Sequence, residues 1–168
     1  MKLSFGTTVN NQPNYFIEKI WKGLLNGYGN LEESYINYQG RYLEKFGRFW
    51  EGDTFAEFLE PKIHTIRRDP DNIWHPGMDI QLVIHKDTPD EFQFAPALKC
   101  RHVQRIQIDY SNLISTGPAV FVDYELLDKE KLVTLAVNDG FGTVDDFFYY
   151  FNEEFSGNLI HWTDQHYG

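Results

Sequence analysis

The chain has 168 residues, 42% of them hydrophobic and 17% aromatic, and a formal net charge of −10 at neutral pH. That length suits one core and leaves two independent domains cramped, and 14 Phe, 10 Tyr and 4 Trp carry too much apolar surface for a disordered chain. The charge disfavours a grip on long duplex nucleic acid, which draws on neutralised phosphates; the single Cys100 excludes an internal disulfide, and no apolar run approaches the roughly 20 residues that span a bilayer.

Lys2 to Phe5 reads as a short opening strand, and Met1 to Asn10 lacks the basic, apolar and small-residue succession of a signal peptide. The expectation is a cytoplasmic protein with no membrane partner. Pro13 suits a first helical turn, and Ile17, Ile20, Trp21, Leu24 and Leu25 form an apolar stripe on a helix ending near Asn26-Gly27. From Tyr28 to Glu60 glycines interrupt aromatic pieces such as Tyr35-Ile36-Asn37-Tyr38 and Phe46-Gly47-Arg48-Phe49-Trp50, which leaves the local structure open.

After Pro61 short runs rich in β-branched and aromatic residues predict strands at Lys62 to Arg67, Met78 to His85, Phe92 to Leu98, Arg101 to Asp109 and Val120 to Leu126. Turn signals at Asp69-Pro70-Asp71, Pro76-Gly77, Thr88-Pro89-Asp90 and Gly117-Pro118 separate them, so an antiparallel sheet or barrel is expected. Leu132, Leu135 and Ala136 suggest one or two helical turns reaching Asn138. Thr143-Val144-Asp145-Asp146 has capping-box spacing before a Phe147, Phe148, Phe151, Phe155 stripe, and Asn158 to Thr163 reads as a last strand.

Charge and chemistry concentrate in the middle third. Lys62, Arg67, Arg68, Lys99, Arg101 and Arg105 lie there on an otherwise acidic chain, a local positive site suited to a nucleoside, a nucleotide or a short RNA. Lys62, Thr65 and Arg67 put an amine, a hydroxyl and a guanidinium on one segment, and Asp139 adds a carboxylate at the Asn-Asp-Gly turn. Strand alternation puts Thr65 and Arg67 on one face, so Lys62, three residues before Thr65, must reach round from a bend after Pro61. Taken singly, each residue has a plainer reading: a solvated lysine, a β-forming threonine, a turn aspartate.

The order of a helix, Lys62-x-x-Thr65-Ile66-Arg67, a Trp/Gly turn, several strands, Asp139-Gly140-Phe141 opening a helix, and a closing strand resembles the ASCH domain family. The resemblance covers about residues 13–26 and 61–164 and leaves 28–60 as an insertion. It implies a single α+β domain, residues 1–168, built on a PUA-like β-barrel of about five to six mostly antiparallel strands with two flanking helices. Compact members of the family hydrolyse N4-acetylcytidine, which implies Lys62 as proton acceptor, Thr65 as nucleophile, Asp139 as proton donor and Arg67 as substrate anchor. The family commonly has Glu where this chain has Asp139, so the carboxylate falls about 1–1.5 Å shorter.

Amide hydrolysis asks for this kind of set: an activated nucleophile, a donor for the leaving nitrogen and positive charge near the oxyanion. Arg67 and Arg68 add cationic groups beside Lys62 and ligand-binding capacity, and Trp74 could stack on a base. Six histidines make no recognised ligand spacing and a lone cysteine excludes a thiolate cluster, so no metal or cofactor is expected. Three function classes stay open: recognition with hydrolysis of an acylated cytidine, a noncatalytic nucleotide- or RNA-binding module, and a protein interaction module docking through the aromatic 28–60 insertion.

Overall fold

A computed structural model of the chain describes residues 1–50, 57–114 and 117–168. In chain order the elements are β1 (Lys2–Phe5), β2 (Thr8–Val9), β3 (Gln12–Pro13), α1 (Phe16–Gly27), α2 (Glu32–Phe46), β4 (His64–Arg67), β5 (Asp79–Ile84) and β6 (Phe92–Gln93). They continue with β7 (Leu98–Lys99), β8 (His102–Ile114), β9 (Gly117–Val122), β10 (Glu125–Leu126), α3 (Lys129–Asn138), α4 (Val144–Tyr150) and β11 (Phe155–His161). The chain divides into two compact units, Met1–Lys62 with Asp79–Leu98, and Ile63–Met78 with Lys99–Gly168.

In the first unit β1 runs parallel to β5, with Leu3 opposite Leu82 and Phe5 opposite Ile84, and β6 lies antiparallel on the far side of β5. The β2–β3 turn uses Asn10 and Asn11 at φ 53° and 62°, the left-handed pair that a two-residue hairpin requires. Helix α1 buries its Ile17, Ile20, Trp21 and Leu24 stripe, and Trp21 Nε1 donates to the Phe94 carbonyl at 2.8 Å. Helix α2 buries only Tyr42 fully. Its ring stripe Tyr35, Tyr38, Tyr42, Phe46 nonetheless packs on Trp21, Trp50 and Phe92 with centroids 5.2–5.9 Å apart. Gly47 at φ 71° ends it by donating to the Leu43 carbonyl.

The second unit holds a five-stranded antiparallel sheet in the order β10-β9-β8-β11-β4. Its buried face carries Ile106, Ile108, Val120, Val122 and Leu159. Helix α3 starts where Asp128 accepts from Lys131 N at 2.8 Å, and α4 where Thr143 Oγ1 accepts from Asp146 N at 3.0 Å. The Thr143–Asp146 capping pair read from sequence is thus present, its hydroxyl also donating to the Asp146 carboxylate at 2.9 Å.

The architecture is mixed α+β, as expected, but it differs in detail. Among the described residues there are four helices, namely the two flanking helices and the turns before Asn138 that the sequence predicts, the latter extended to α3, together with α2; no closed barrel is found among the strands. Residues 28–60 contain α2, a helix whose glycine-rich surroundings hid it. Pro13 lies in β3 instead of opening α1, and the run Phe92 to Leu98 is strand only at Phe92–Gln93 and from Leu98 on. No helix among the described residues is long and apolar enough to cross a membrane.

Candidate functional site

Strand β4 carries two of the side chains singled out from sequence. Thr65 pairs with Ile160 and Arg67 with Asn158 of β11, two steps apart and therefore on the same face. Beyond β4 the sheet ends, and the chain at the close of α3 covers that edge: Ile63 N donates to the Asn138 carbonyl at 3.0 Å, and Ile66 N to Asp139 Oδ1 at 3.2 Å. Asp139 thus satisfies an edge-strand donor that would otherwise be buried and unpaired. The same oxygen lies 3.5 Å from His64 Nδ1. Thr65 and Asp139 are each only 4% exposed. Burial lowers the Arg67 guanidinium's pKa from its ordinary value, and the Asp139 and Tyr150 charges oppose that effect.

Arg67 and Arg68 line a cavity of about 330 Å³ with Ile66, Tyr150, Asn152 and Phe155. Arg68 lays its guanidinium over the Phe155 ring, 4.9 Å from the centroid, and approaches Glu153 at 3.8 Å. Both ends of that ion pair are solvated, so it constrains Arg68 weakly. Arg68 and Phe155 also border an open groove of about 640 Å³ that continues past Gln107, Phe121, Tyr124 and Ser156. The Tyr124 ring on its wall has the Arg105 guanidinium over it, 5.7 Å from the centroid.

The loop after Arg68 is fixed by Asp69, whose carboxylate accepts from Ile73 N at 2.9 Å, Trp74 N at 3.2 Å and Asn158 Nδ2 at 3.0 Å. Trp74, named above for base stacking, is 8% exposed. Lys62 closes the first segment of the other unit. It is 1% exposed, its backbone N–H donates to the Lys19 carbonyl at 3.1 Å, and its ammonium lies 4.7 Å from the Phe16 ring centre and 5.9 Å from that of Phe5. A desolvated ammonium over aromatic faces is a favourable cation–π geometry.

The residues that sequence reading missed are the partners of Asp139 and β4. His64, His102 and His161 sit opposite one another on β4, β8 and β11, brought together by register from three distant stretches of chain. His161 stacks on His102 with centroids 4.1 Å apart and meets His64 edge-on at 5.1 Å. His64 Nε2 lies 2.7 Å from the Tyr167 hydroxyl, to which Asn138 Nδ2 donates at 2.8 Å. Tyr167 is locked in turn by Gln104, which accepts from its N–H at 3.0 Å and donates to its carbonyl at 2.6 Å. Burial, partly offset by Asn138, raises the Tyr167 pKa.

His161 is wholly buried, with neither ring nitrogen hydrogen-bonded, and burial together with the neighbouring His64, His102 and His166 lowers its pKa to about 2. An unfolded histidine titrates near 6.5. Between those values the unfolded chain binds the extra proton, so stability is full above about pH 6.5 and falls as the pH drops below it. Urea titrations are expected to show about 2 kcal/mol less stability at pH 5 than at pH 7 from this group alone, at up to about 1.4 kcal/mol per pH unit. His161→Phe should remove that share of the slope. An unchanged slope in that variant would mean the ring takes up its proton in the folded state.

Chemically, the second unit offers two guanidinium groups beside aromatic rings, an arrangement fit for an anion attached to a flat group. The Cys100 thiol, whose pKa burial raises, donates weakly to the His102 carbonyl at 3.7 Å and is accounted for as packing. Among the described residues no group of three or more His, Cys, Asp or Glu side chains is placed to hold a metal ion. No protein-family model, no curated protein and no solved structure matches the chain in comparisons with each.

Proposed function

We propose that this chain is an ASCH-related, PUA-like module that recognises a single nucleotide or a short single-stranded RNA. The observation that carries the reading is the cavity with Arg67, Arg68 and Tyr150 on its wall, continuous through Arg68 and Phe155 with a groove bearing Phe121 and Tyr124. Paired guanidiniums favour a phosphate, and stacking rings accept bases with little regard to sequence. A net charge of −10 limits the ligand to a few phosphates. Hydrolysis of an acylated cytidine, with Lys62, Thr65 and Asp139 in the roles given above, is the enzymatic form of the same proposal.

A noncatalytic module is favoured by one specific feature, the commitment of Asp139 Oδ1 to the Ile66 N–H. Titration separates the two. Cytidine monophosphate and a four-nucleotide RNA should raise the melting temperature of the wild type, and Arg68→Ala should weaken each about tenfold, the worth of one charge-assisted contact. Equal binding by wild type and Arg68→Ala would sink the assignment of this cavity. Release of acetate from N4-acetylcytidine, abolished in Lys62→Ala and Thr65→Ala, would establish the enzyme; its absence beside intact binding leaves the module. The third reading rests on Ile36, Phe49 and Phe58, which are 67%, 57% and 76% exposed within 28–60, and co-purification of a partner lost on their joint replacement by Ser would favour it.

A further inference from the structure

Residues 162–168, which follow β11, form neither helix nor strand, yet they cover the row of imidazoles that register lines up across β4, β11 and β8. The Tyr167 ring centre lies 5.5 Å from that of His64 and 6.1 Å from that of His161, and His166 lies 5.4 Å from His102. Tyr167 is buried although it belongs to no regular element. The segment is fastened from Gln165 onward. His102 Nε2 donates to the Gln165 carbonyl at 2.7 Å, Gln104 clamps both backbone groups of Tyr167, and the Tyr167 hydroxyl bridges His64 and Asn138. All of these groups belong to the second unit.

These bonds fix the protons. A carbonyl only accepts, so His102 carries its proton on Nε2. Asn138 Nδ2 donates to the Tyr167 hydroxyl at 2.8 Å, which directs the hydroxyl's own proton to His64 Nε2 at 2.7 Å, a bond that requires this nitrogen unprotonated. His161, between the other two rings, has no hydrogen bond at either nitrogen and no exposed surface. The groups that face it are His64 from β4, His102 from β8, and His166 and Tyr167 from the covering segment, so every charge that forms beside it on acidification has its own sign. The carboxylates around the cluster are committed elsewhere: Asp139 to Ile66 and His64, Asp123 to Gln104 and the Arg105 N–H, and Asp164 to Arg101 at the surface. The Cys100 thiol turns to the His102 carbonyl.

We infer that residues 163–168 form an acid-released flap, closed over the imidazole row while the histidines are neutral and lifted as they take up protons, with the strands beneath still paired. Lifting it undoes a few bonds, far fewer than unfolding the sheet, so it opens at a lower free energy than the unit unfolds. The same proton that weakens the fold is taken up first by this partial opening. The closed flap keeps His161 neutral down to about pH 2, whereas a histidine open to water titrates near 6.5. Opening is therefore indifferent to pH above about 6.5 and is favoured about tenfold for each pH unit below it, which makes about 25-fold between pH 7 and pH 5 from His161 alone. The flap does not depend on a ligand at the Arg67–Arg68 cavity.

Amide hydrogen exchange of the full chain, corrected for the intrinsic effect of pH on exchange, reads the opening. The Tyr167 N–H, which donates to Gln104, should be less protected than the amides of β8 and β11 at both pH 7 and pH 5, and its protection should fall about 25-fold between them. His161→Phe keeps a flat ring without a titrating group and should cut that ratio by about tenfold or more. Tyr167→Phe loses only the hydroxyl and should raise opening about tenfold at both pH values, the worth of one hydrogen bond. Circular dichroism checks that each variant is folded; if His161→Phe is not, the wild-type ratio and Tyr167→Phe decide. Tyr167 protection equal to that of the strands overturns the inference, because the segment then opens only with the whole unit. So does wild-type protection that ignores pH, an unchanged ratio in folded His161→Phe, or unchanged protection in Tyr167→Phe.

Discussion

Asp139→Ala is expected to lower the unfolding free energy by about 3 kcal/mol and to do so whether or not the chain is an enzyme. The substitution strips the Ile66 N–H of its acceptor on a closed strand edge, and a buried donor left bare costs on the order of 1–3 kcal/mol. It also removes the anion that offsets the desolvation of Arg67 and lies near His64. Asp139→Asn keeps an oxygen for Ile66 while losing the charge, and should recover about half of the loss. Chemical denaturation of the three proteins measures this directly. A fully stable Asp139→Ala would show the carboxylate to be dispensable for folding, which is the behaviour of a residue kept for chemistry alone.

The consequence for function is practical. Any activity lost in an Asp139 variant has to be compared at equal folded fraction, because the same side chain holds β4 in place. Asp139→Glu separates the two roles from the other direction. The longer side chain restores the residue common in the family that the sequence resembles, but it must displace a carboxylate already fitted to Ile66 at 3.2 Å. A gain in turnover together with a loss of stability would indicate that the shorter residue was retained for the strand edge.

The legible parts of the fold are those where local chemistry agrees with the tertiary environment. The opening strand, the α1 stripe, the Thr143 cap and the closing strand each combine a period with a terminator, and each is present. Helix α2 was hidden although Tyr35, Tyr38, Tyr42 and Phe46 recur at intervals of three and four. Gly40 inside the helix and the glycines around it argued against the period, and the stripe packs on rings instead of aliphatic core, so packing outweighed propensity. At the site, Thr65 and Arg67 follow from strand alternation. The His64–His102–His161 stack does not, since it depends on the register of three strands spread over about a hundred residues.

Gly157→Ala should be the most damaging small substitution in the second unit, with a loss of about 3 kcal/mol and a fall in melting temperature of about 10 °C for a chain of this size. Gly157 sits in β11 between Ile106 of β8 and the end of β4. A Cβ there would press on the Arg67 carbonyl oxygen at a separation no real side chain adopts, and would lie 2.8 Å from Phe155 Cε1 and 2.9 Å from its Cζ. The carbonyl belongs to backbone, so relief requires the end of β4 to move off β11. Arg67 and Arg68 travel with it, and Phe155, the ring beneath the Arg68 guanidinium, is pushed from the other side. Binding of cytidine monophosphate should therefore fall together with stability, whereas Arg68→Ala should lower binding while leaving the melting temperature within about 2 °C, as exposed substitutions do. If the alanine variant melts like the wild type, β4 and β11 have more freedom than their register implies. If it is destabilised yet binds the nucleotide undiminished, the ligand is held elsewhere than at the two arginines.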